Sequence, residues 1–347
     1  MAKNRKIIQW LGIIGLILLL AGGFLAFKLY QAFMAPAILE NEEGYFYVYS
    51  GDTYEDVLER IKSENIVKHP DQFDFVAQRM DYPNSVKAGR YKLSSDMSNR
   101  RFIGNLRGGY QEAVKLQFAN IRLKENFAGM LGRNFEADSA TFSEILNNEA
   151  VAEQYGFNTE NFYTMFIPNT YEIYWNTPPD KIIERLHAEY KKFWDETRLQ
   201  RAKEVGLTPI EVSILASIVR GEALHTDEMP EIAGLYLNRL NKGMLLQADP
   251  TVIFANNDFS IRRVLNRHLT IDNPYNTYRY RGLPPGPITM APIAAIDAVL
   301  QPAKHDYLYM CAKDDFSGYH NFATTMAEHL VNARKFQKAL DERNIKR

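Results

Sequence analysis

An acidic residue, Glu222, closes the stretch TPIEVSILASIVRGE at a spacing that puts it in helical register with Leu215, Ile218 and Val219. At about 100° per residue Glu222 falls within about 60° of those three, with Ser213, Ser217 and Arg220 toward the opposite side. A carboxyl group on an apolar face loses hydration. This favours its neutral form and raises its pKa toward the range a general acid needs near neutral pH. The same pattern suits a buried structural acid neutralised by Arg239 of the following helix, and periodicity alone leaves both roles open.

The residues that follow add candidates for holding a substrate. GMLLQADPTVIFA carries Gln247 and Asp249 in a stretch that reads as irregular, before a predicted strand start at Thr251-Val252-Ile253. DNPYNTYRYRGLPPGPI reads as a loop stiffened by Pro274, Pro284, Pro285 and Pro287 and lined by Tyr275, Asn276, Tyr278 and Tyr280. Aromatic faces and amide side chains suit a neutral sugar, stacking on its C–H face and bonding its hydroxyls. YLYMCAKDDFSGYHNF reads as a β-hairpin with its turn at Asp314 to Gly318, and places His320 on the second strand as a further candidate for lining the site. His225, Asp227, Glu228 and His320 could be imagined around a metal. There is, however, no His-Glu-x-x-His helix and no Cys/His ligand spacing, so neither a metal nor a cofactor is expected. The Gly-x-Ser-x-Gly elbow, the P-loop and the dinucleotide fingerprint are also absent from the sequence.

These side chains need elements to position them. Thr208 as N-cap, Pro209 at the first helical position and Glu211 three residues after the cap specify the start of the helix that ends at Glu222. Upstream, Val114 to Phe118 reads as a strand and FIPNTYEIYW as an aromatic loop. One long helix is predicted between Pro178 and Val205, with Ile182, Ile183, Leu186, Tyr190 and Phe193 on one face. Residues 43–108 read as a small β-α module, from the alternating YFYVYS strand and its Gly51-Asp52 turn to a second strand at Tyr91 to Leu93 and a helix stopped at Gly108-Gly109. The class is α+β, with residues 109–347 as a larger mixed domain.

From Ile7 to Phe27 there are 21 uncharged residues, enough at about 1.5 Å each to cross a bilayer core of roughly 30 Å. The run continues without a small-residue cleavage site, which predicts an uncleaved anchor over residues 7–30. Lys3, Arg5 and Lys6 precede it, so the positive-inside rule puts a tail of residues 1–6 in the cytoplasm and the rest of the chain outside. The single cysteine, Cys311, cannot form an internal disulfide, and an exported domain of this size without disulfides points to a bacterial plasma membrane. A net charge of −1 gives no basic excess for a nucleic-acid partner.

Taken together and in order, LASIVRGEA, AGLYLNRLNKGMLLQADPTVIFA, YNTYRYRGLPPGPI and GYHNF, with FIPNTYEIYW and an N-terminal anchor, resemble the YceG-like (MltG) family of endolytic murein transglycosylases. Nearly the whole exported part is covered. The family's catalytic glutamate ends a Ser-Ile-Val-Glu-x-Glu pattern and falls on Glu222. The earlier glutamate of the pattern is Arg220 here, a following threonine is Ala223, and an aspartate of the aromatic loop is Asn169. The resemblance implies a lyase that cuts the MurNAc-β-1,4-GlcNAc bond of peptidoglycan strands, leaves a 1,6-anhydro-MurNAc end and could end strand elongation, with peptidoglycan synthases as candidate partners. Separately, the outline of residues 43–108 resembles the LysM-like subdomain of some cell-wall enzymes, and a generic β-α scaffold fits the same outline equally well. Paired-carboxylate hydrolysis would need a second acid about 5 to 10 Å away, for which Asp249 is the candidate. A non-catalytic, membrane-anchored glycan-binding scaffold would share the topology and the aromatic loops.

Overall fold

The computed structural model describes residues 2–39 and 44–343, with residues 2–6 as backbone only. The chain divides into two compact units, one of Met1–Val114 with Glu172–Thr177, the other of Lys115–Tyr171 with Pro178–Arg347. The fold is mixed α and β. Its strands, among the described residues, form three two-stranded sheets, β1–β2, β3–β4 and β5–β6, whose ranges follow below.

The first unit opens with helix α1 (Ala2–Phe33), whose segment Ile7–Phe33 is long and apolar enough to cross a membrane. Then come β1 (Tyr45–Val48), α2 (Tyr54–Ser63), α3 (Pro70–Arg79), β2 (Gly89–Lys92) and α4 (Asn99–Gly108). Strands β1 and β2 are antiparallel, with Phe46 opposite Tyr91. Local chemistry sets the ends of the helices. Thr53 and Asp56 form a reciprocal capping box at α2, Pro70 starts α3, and Gly109 ends α4 in the left-handed conformation at φ +71°, where a side chain would be strained. Phe46, Phe73, Tyr91 and Phe102 fill the core with Val57, Ile61 and Leu106. The end of α1 packs on this core through Ala32 and through Phe33, edge-on to Phe75.

The second unit is mainly helical. Between β3 (Val114–Gln117) and β4 (Thr170–Ile173) lie α5 (Lys124–Asn134), α6 (Ser139–Leu146) and α7 (Glu149–Gln154). After β4 come α8 (Pro179–Phe193), α9 (Glu196–Glu204), α10 (Pro209–Glu222), α11 (Met229–Asn241), α12 (Asp249–Ala255) and α13 (Ile293–Leu300), then β5 (Tyr309–Ala312), β6 (His320–Ala323) and α14 (Met326–Glu342). Helix α10 runs through the middle of the core, against α11 and α13. Its start carries the full Thr208/Glu211 capping box with Pro209 in the first turn.

Three local expectations change. Helix α10 has no wet face along Val212 to Val219: Ser213 and Ser217 are as buried as Leu215 and Ile218. The serines are tolerated because they are satisfied. Ser213 donates to the Pro209 carbonyl, while Ser217 donates to Ile214 and accepts the Ile288 N–H at 3.1 Å. The long helix predicted over 178–205 is two helices. Trp194 leaves the helical region at ψ 64°, and the Asp195 carboxylate takes the Arg198 N–H at 2.8 Å to start α9. An apolar stripe continuing on both sides of a break hides the break. Third, Thr251-Val252-Ile253 is not a strand but part of α12. Pro250 favours a first helical turn, and the Thr251 hydroxyl bonds back to the Ala248 carbonyl at 2.7 Å.

Candidate active site

Glu222 is the last residue of α10, so its carboxyl emerges where the helix core ends, beside orphan carbonyls rather than N–H groups. The next helix supplies its partner. Tyr236 on α11, only 2% exposed, donates its hydroxyl to Oε1 of Glu222 at 3.0 Å. The pKa of Glu222 is pushed up from 4.5 to about 7, first by burial and next by the nearby Asp249 carboxylate. The Tyr236 hydroxyl, a backbone hydrogen bond from Asp249 and the positive field of Arg239 pull the other way without cancelling the rise.

Arg239, one turn beyond Tyr236, does not pair with this acid. Its guanidinium is buried and takes up backbone carbonyls: Nε donates to Leu308 at 2.5 Å, and Nη1 to Leu245 at 3.0 Å and Leu246 at 2.9 Å. Nη1 also reaches Oε1 of Gln247 at 3.2 Å. The cation therefore ties the 245–247 segment to the start of the hairpin, and the arginine-neutralised reading of Glu222 has no ion pair to rest on among the described residues. Gln247 sits at φ +52°, with its N–H held by the Thr277 carbonyl at 3.1 Å. Two residues on, Asp249 opens α12 and accepts the Tyr278 hydroxyl at 2.7 Å. Burial against the cleft wall raises its carboxyl above the usual range and the Tyr278 bond opposes that rise.

The hairpin closes the other wall. Strands β5 and β6 pair with Ala312 opposite His320, and the turn between them spans Asp314 to Gly318. Glu228, 5% exposed, accepts both the His320 backbone N–H at 2.6 Å and Nδ1 at 2.8 Å. One ring nitrogen is thereby engaged and the ring orientation fixed.

Glu222, Tyr236, Arg239, Gln247, Asp249, Tyr278 and His320 line one cleft of about 230 Å³ with Met310, Cys311 and Ala312 of β5. Glu222, Gln247, Asp249, Tyr278 and His320 of the sequence candidates are thus brought together, whereas Tyr275 and Asn276 are not. Tyr275 donates to Glu160 at 2.9 Å and packs against Phe254. Asn276 is fully buried as a staple of its own loop, donating to the Leu269 and Ile271 carbonyls at 2.9 and 2.8 Å. Tyr236 lines the cleft without having been a sequence candidate, and Glu228, imagined from the sequence only as a metal ligand, instead holds His320. The signal for Tyr236 was present, since it lies 14 residues from Glu222 on the same face of α11 as Arg239.

The arrangement can do acid–base chemistry on a neutral substrate: one carboxyl poised near neutral pH, a second in the same cleft, and oriented hydroxyl, amide and imidazole groups around them. Among the described residues no group of three or more His, Cys, Asp or Glu side chains is placed to hold a metal ion.

Comparison with known proteins points the same way. The model of the YceG-like family matches residues 46–335. The endolytic murein transglycosylase of Bacillus subtilis is 28% identical over 311 residues, covering 85% of each chain. That of Streptococcus pneumoniae is 26% identical over 348 residues, covering 90% of this chain but 62% of the pneumococcal one, so this chain spans under two thirds of that relative. A solved yceG-like protein from Listeria monocytogenes shares the fold, with a TM-score of 0.53 over 83% of this chain and 98% of its own, at 22% identity. With the family model matching most of its length, the chain belongs to the YceG-like family.

Proposed function

We infer that this protein is an endolytic murein transglycosylase, a lyase that cuts the MurNAc-β-1,4-GlcNAc bond of peptidoglycan within the strand and leaves a 1,6-anhydro-MurNAc end. The observation that carries this reading is the Glu222 carboxyl, raised to about 7 in a cleft that it shares with Asp249. Relatives named for that activity, at 28% and 26% identity, support it.

One group serves both steps. Protonated Glu222 gives its proton to the glycosidic oxygen as the C1–O bond breaks. The resulting carboxylate takes the proton of the C6 hydroxyl as that oxygen closes on C1. Atoms balance without water. The ring closure is intramolecular, so no nucleophile has to be captured from solvent. Asp249 keeps Glu222 protonated through its charge and positions the substrate with Tyr278 and Gln247. Glu228 holds His320 toward the same sugar. Tyr275 and Asn276 act one step back, by shaping the loop that carries Tyr278.

The other parts fit a wall-synthesis enzyme. Segment 7–30 serves as a single-pass anchor in a bacterial plasma membrane, with the basic tail 1–6 in the cytoplasm and the enzyme outside. Residues 43–108 form a module whose strand, helix, helix, strand order supports a LysM-like, glycan-holding reading, and residues 109–347 do the chemistry. Placement at the membrane suits work on nascent strands beside peptidoglycan synthases, where a cut ends elongation. A reporter fused after Arg347 is expected to be active only outside the cytoplasm, and cytoplasmic activity overturns this topology.

The decisive experiment is mass spectrometry of products from uncross-linked peptidoglycan in oxygen-18 water. Anhydro ends lacking the label are expected. Labelled reducing ends, together with an inactive Asp249→Asn, overturn the lyase in favour of paired-carboxylate hydrolysis. Glycan binding without any product from the wild type leaves the scaffold reading.

A further inference from the structure

A second cavity of about 430 Å³ is lined in part by Arg220 and Gly221 at the end of α10, and its charged side chains are all cationic. Glu222 and Asp249 line the first, with Arg239. The second is lined by Arg122, Arg220, Asn120, Asn126 and Phe259, with Gly221, and by no acidic residue. The two share a wall: Gly221 lies against Pro250, so close that a Cβ added at Gly221 would stand 2.8 Å from the proline Cβ. Glu222 and Asp249 are the chain neighbours of that contact.

Both guanidinium groups are held but unneutralised. Arg220 donates through Nε to the Asn120 side chain at 3.3 Å and through Nη1 to the Ala223 carbonyl at 3.0 Å. Arg122 stacks its guanidinium 4.6 Å from the centre of the Phe259 ring, a geometry that leaves its N–H edge free to donate. Its segment is fixed from behind, the Ile121 carbonyl accepting the Met290 N–H at 2.9 Å and the Thr289 hydroxyl at 3.2 Å. The nearest acid in sequence to Phe259, Asp258, turns back to the Ser260 N–H and hydroxyl at 3.0 and 2.6 Å. Among the described residues neither arginine has a carboxylate within ion-pair distance. In a chain of net charge −1, two pre-oriented guanidinium groups facing one cavity amount to a carboxylate-binding arrangement.

We propose that this cavity binds a carboxylate of the acidic stem peptide carried by the sugar whose glycosidic bond lies at Glu222. The assignment rests on the murein reading, under which the backbone sugars are neutral once the lactyl group is amide-linked, so the peptide is where the strand carries its anions. Geometry agrees. An extended peptide gains about 3.3–3.6 Å per residue, so its third residue lies about 10 Å along, on the scale of one helix diameter of about 10–12 Å. A carboxylate there meets two guanidinium groups and no acid in the second cavity, whereas in the first the Asp249 carboxylate offsets Arg239, whose guanidinium is already taken up by backbone carbonyls. The peptide thus orients the strand before the cut.

Three sets of glycan oligomers test it: one with free-acid stem peptides, one with the peptide carboxylates amidated, and one treated with an amidase that leaves only the lactyl carboxylate. The wild type is expected to favour the free-acid over the amidated set in kcat/KM by about tenfold, the scale of one charge-assisted contact, and Arg122→Gln and Arg220→Gln each to bring that ratio to about two or less. In parallel, NMR titration of each protein with the free acidic peptide reads the site without catalysis, and arginine side-chain N–H shifts that disappear in the Gln variants are expected. Equal cleavage of all sets with no arginine-dependent shifts overturns the proposal and leaves the lyase standing. Arginine dependence confined to the amidase-treated set overturns the peptide source in favour of the lactyl group. No anhydro product from any set, with the titration intact, overturns the lyase and keeps an acidic-peptide site.

Discussion

Tyr236 donates its hydroxyl to Oε1 of Glu222 at 3.0 Å, and this bond favours the charged form of an acid that burial and Asp249 drive toward the neutral one. The balance sets the pH range of activity. A proton donor with a pKa of about 7 gives kcat/KM an alkaline limb near that value, since the rate falls as the free enzyme loses the proton. Removing the bond in Tyr236→Phe takes away a stabiliser of the carboxylate, so the limb moves to higher pH. Removing the like charge in Asp249→Asn lets Glu222 ionise more readily, so the limb moves to lower pH, with appreciable turnover retained at acid pH. Shifts of roughly half to one pH unit in opposite directions are expected in pH–rate profiles of the two variants. Movement in the same direction would contradict the assignment of the limb to Glu222.

Glu222→Gln keeps the shape and the bond to Tyr236 but cannot give up a proton, and a loss of about 10²–10⁴ in kcat is expected. The same change should stabilise the fold at alkaline pH. With a folded pKa near 7 against an ordinary 4.5, the native state binds a proton that the unfolded chain has released, so stability declines between those values as pH rises. The cost is absent below pH 4.5 and complete above about 7. Urea titrations should find Glu222→Gln more stable than wild type by about 1–3 kcal/mol at pH 8.5, and by much less at pH 4. A variant less stable at both pH values would make Glu222 a structural acid after all.

Glu228 holds His320 by two bonds in a buried place, so the pair is sensitive to which group is removed. Glu228→Ala strands a backbone N–H and an imidazole nitrogen, and a loss of about 2–4 kcal/mol is expected. Glu228→Gln keeps one acceptor and should lose less. His320→Ala should leave most of the stability and raise KM for glycan strands by more than it lowers kcat, as fits a positioning group. If His320→Ala changes neither kinetic constant, the imidazole only fastens the hairpin.

Much of this site is legible in the sequence. The capping box at Thr208 and the apolar register of Glu222 are local signals, and both fix where the carboxyl emerges. The hairpin was equally clear, because alternation and a Gly-containing turn are short-range. What failed was long-range or compensated. Ser217 reads as a surface residue until the Ile288 N–H that it accepts is known, and that partner is 71 residues away. Asn276 looks like a sugar ligand because an amide suits both a hydroxyl and a backbone carbonyl; the loop uses it for the latter. Arg239 could be paired with Glu222 on spacing alone, but carbonyls from two separate loops claim its guanidinium.

Gly221 joins the two sides of the site, and its lack of a side chain is needed for a steric reason rather than for backbone freedom. A Cβ there would stand 2.8 Å from the Cβ and 3.0 Å from the Cγ of Pro250, whose ring cannot swing aside, and 3.5 Å from Ile288. Alanine has a better helical propensity than glycine by about 1 kcal/mol, so on propensity alone Gly221→Ala would stabilise α10. Overpacking against a rigid ring costs about 1–3 kcal/mol, and relief requires Pro250 to move off the helix. Asp249 moves with it. The like charge that helps to raise the pKa of Glu222 then recedes, and the Asp249–Tyr278 bond shifts out of the cleft. We expect Gly221→Ala to be destabilised, to show an alkaline limb displaced to lower pH in the same sense as Asp249→Asn, and to lose about 10–10² in kcat/KM through misplacement of the substrate. A Gly221→Ala enzyme with the wild-type pH profile and unchanged stability would mean that α12 yields without disturbing Asp249, and that the contact is packing alone.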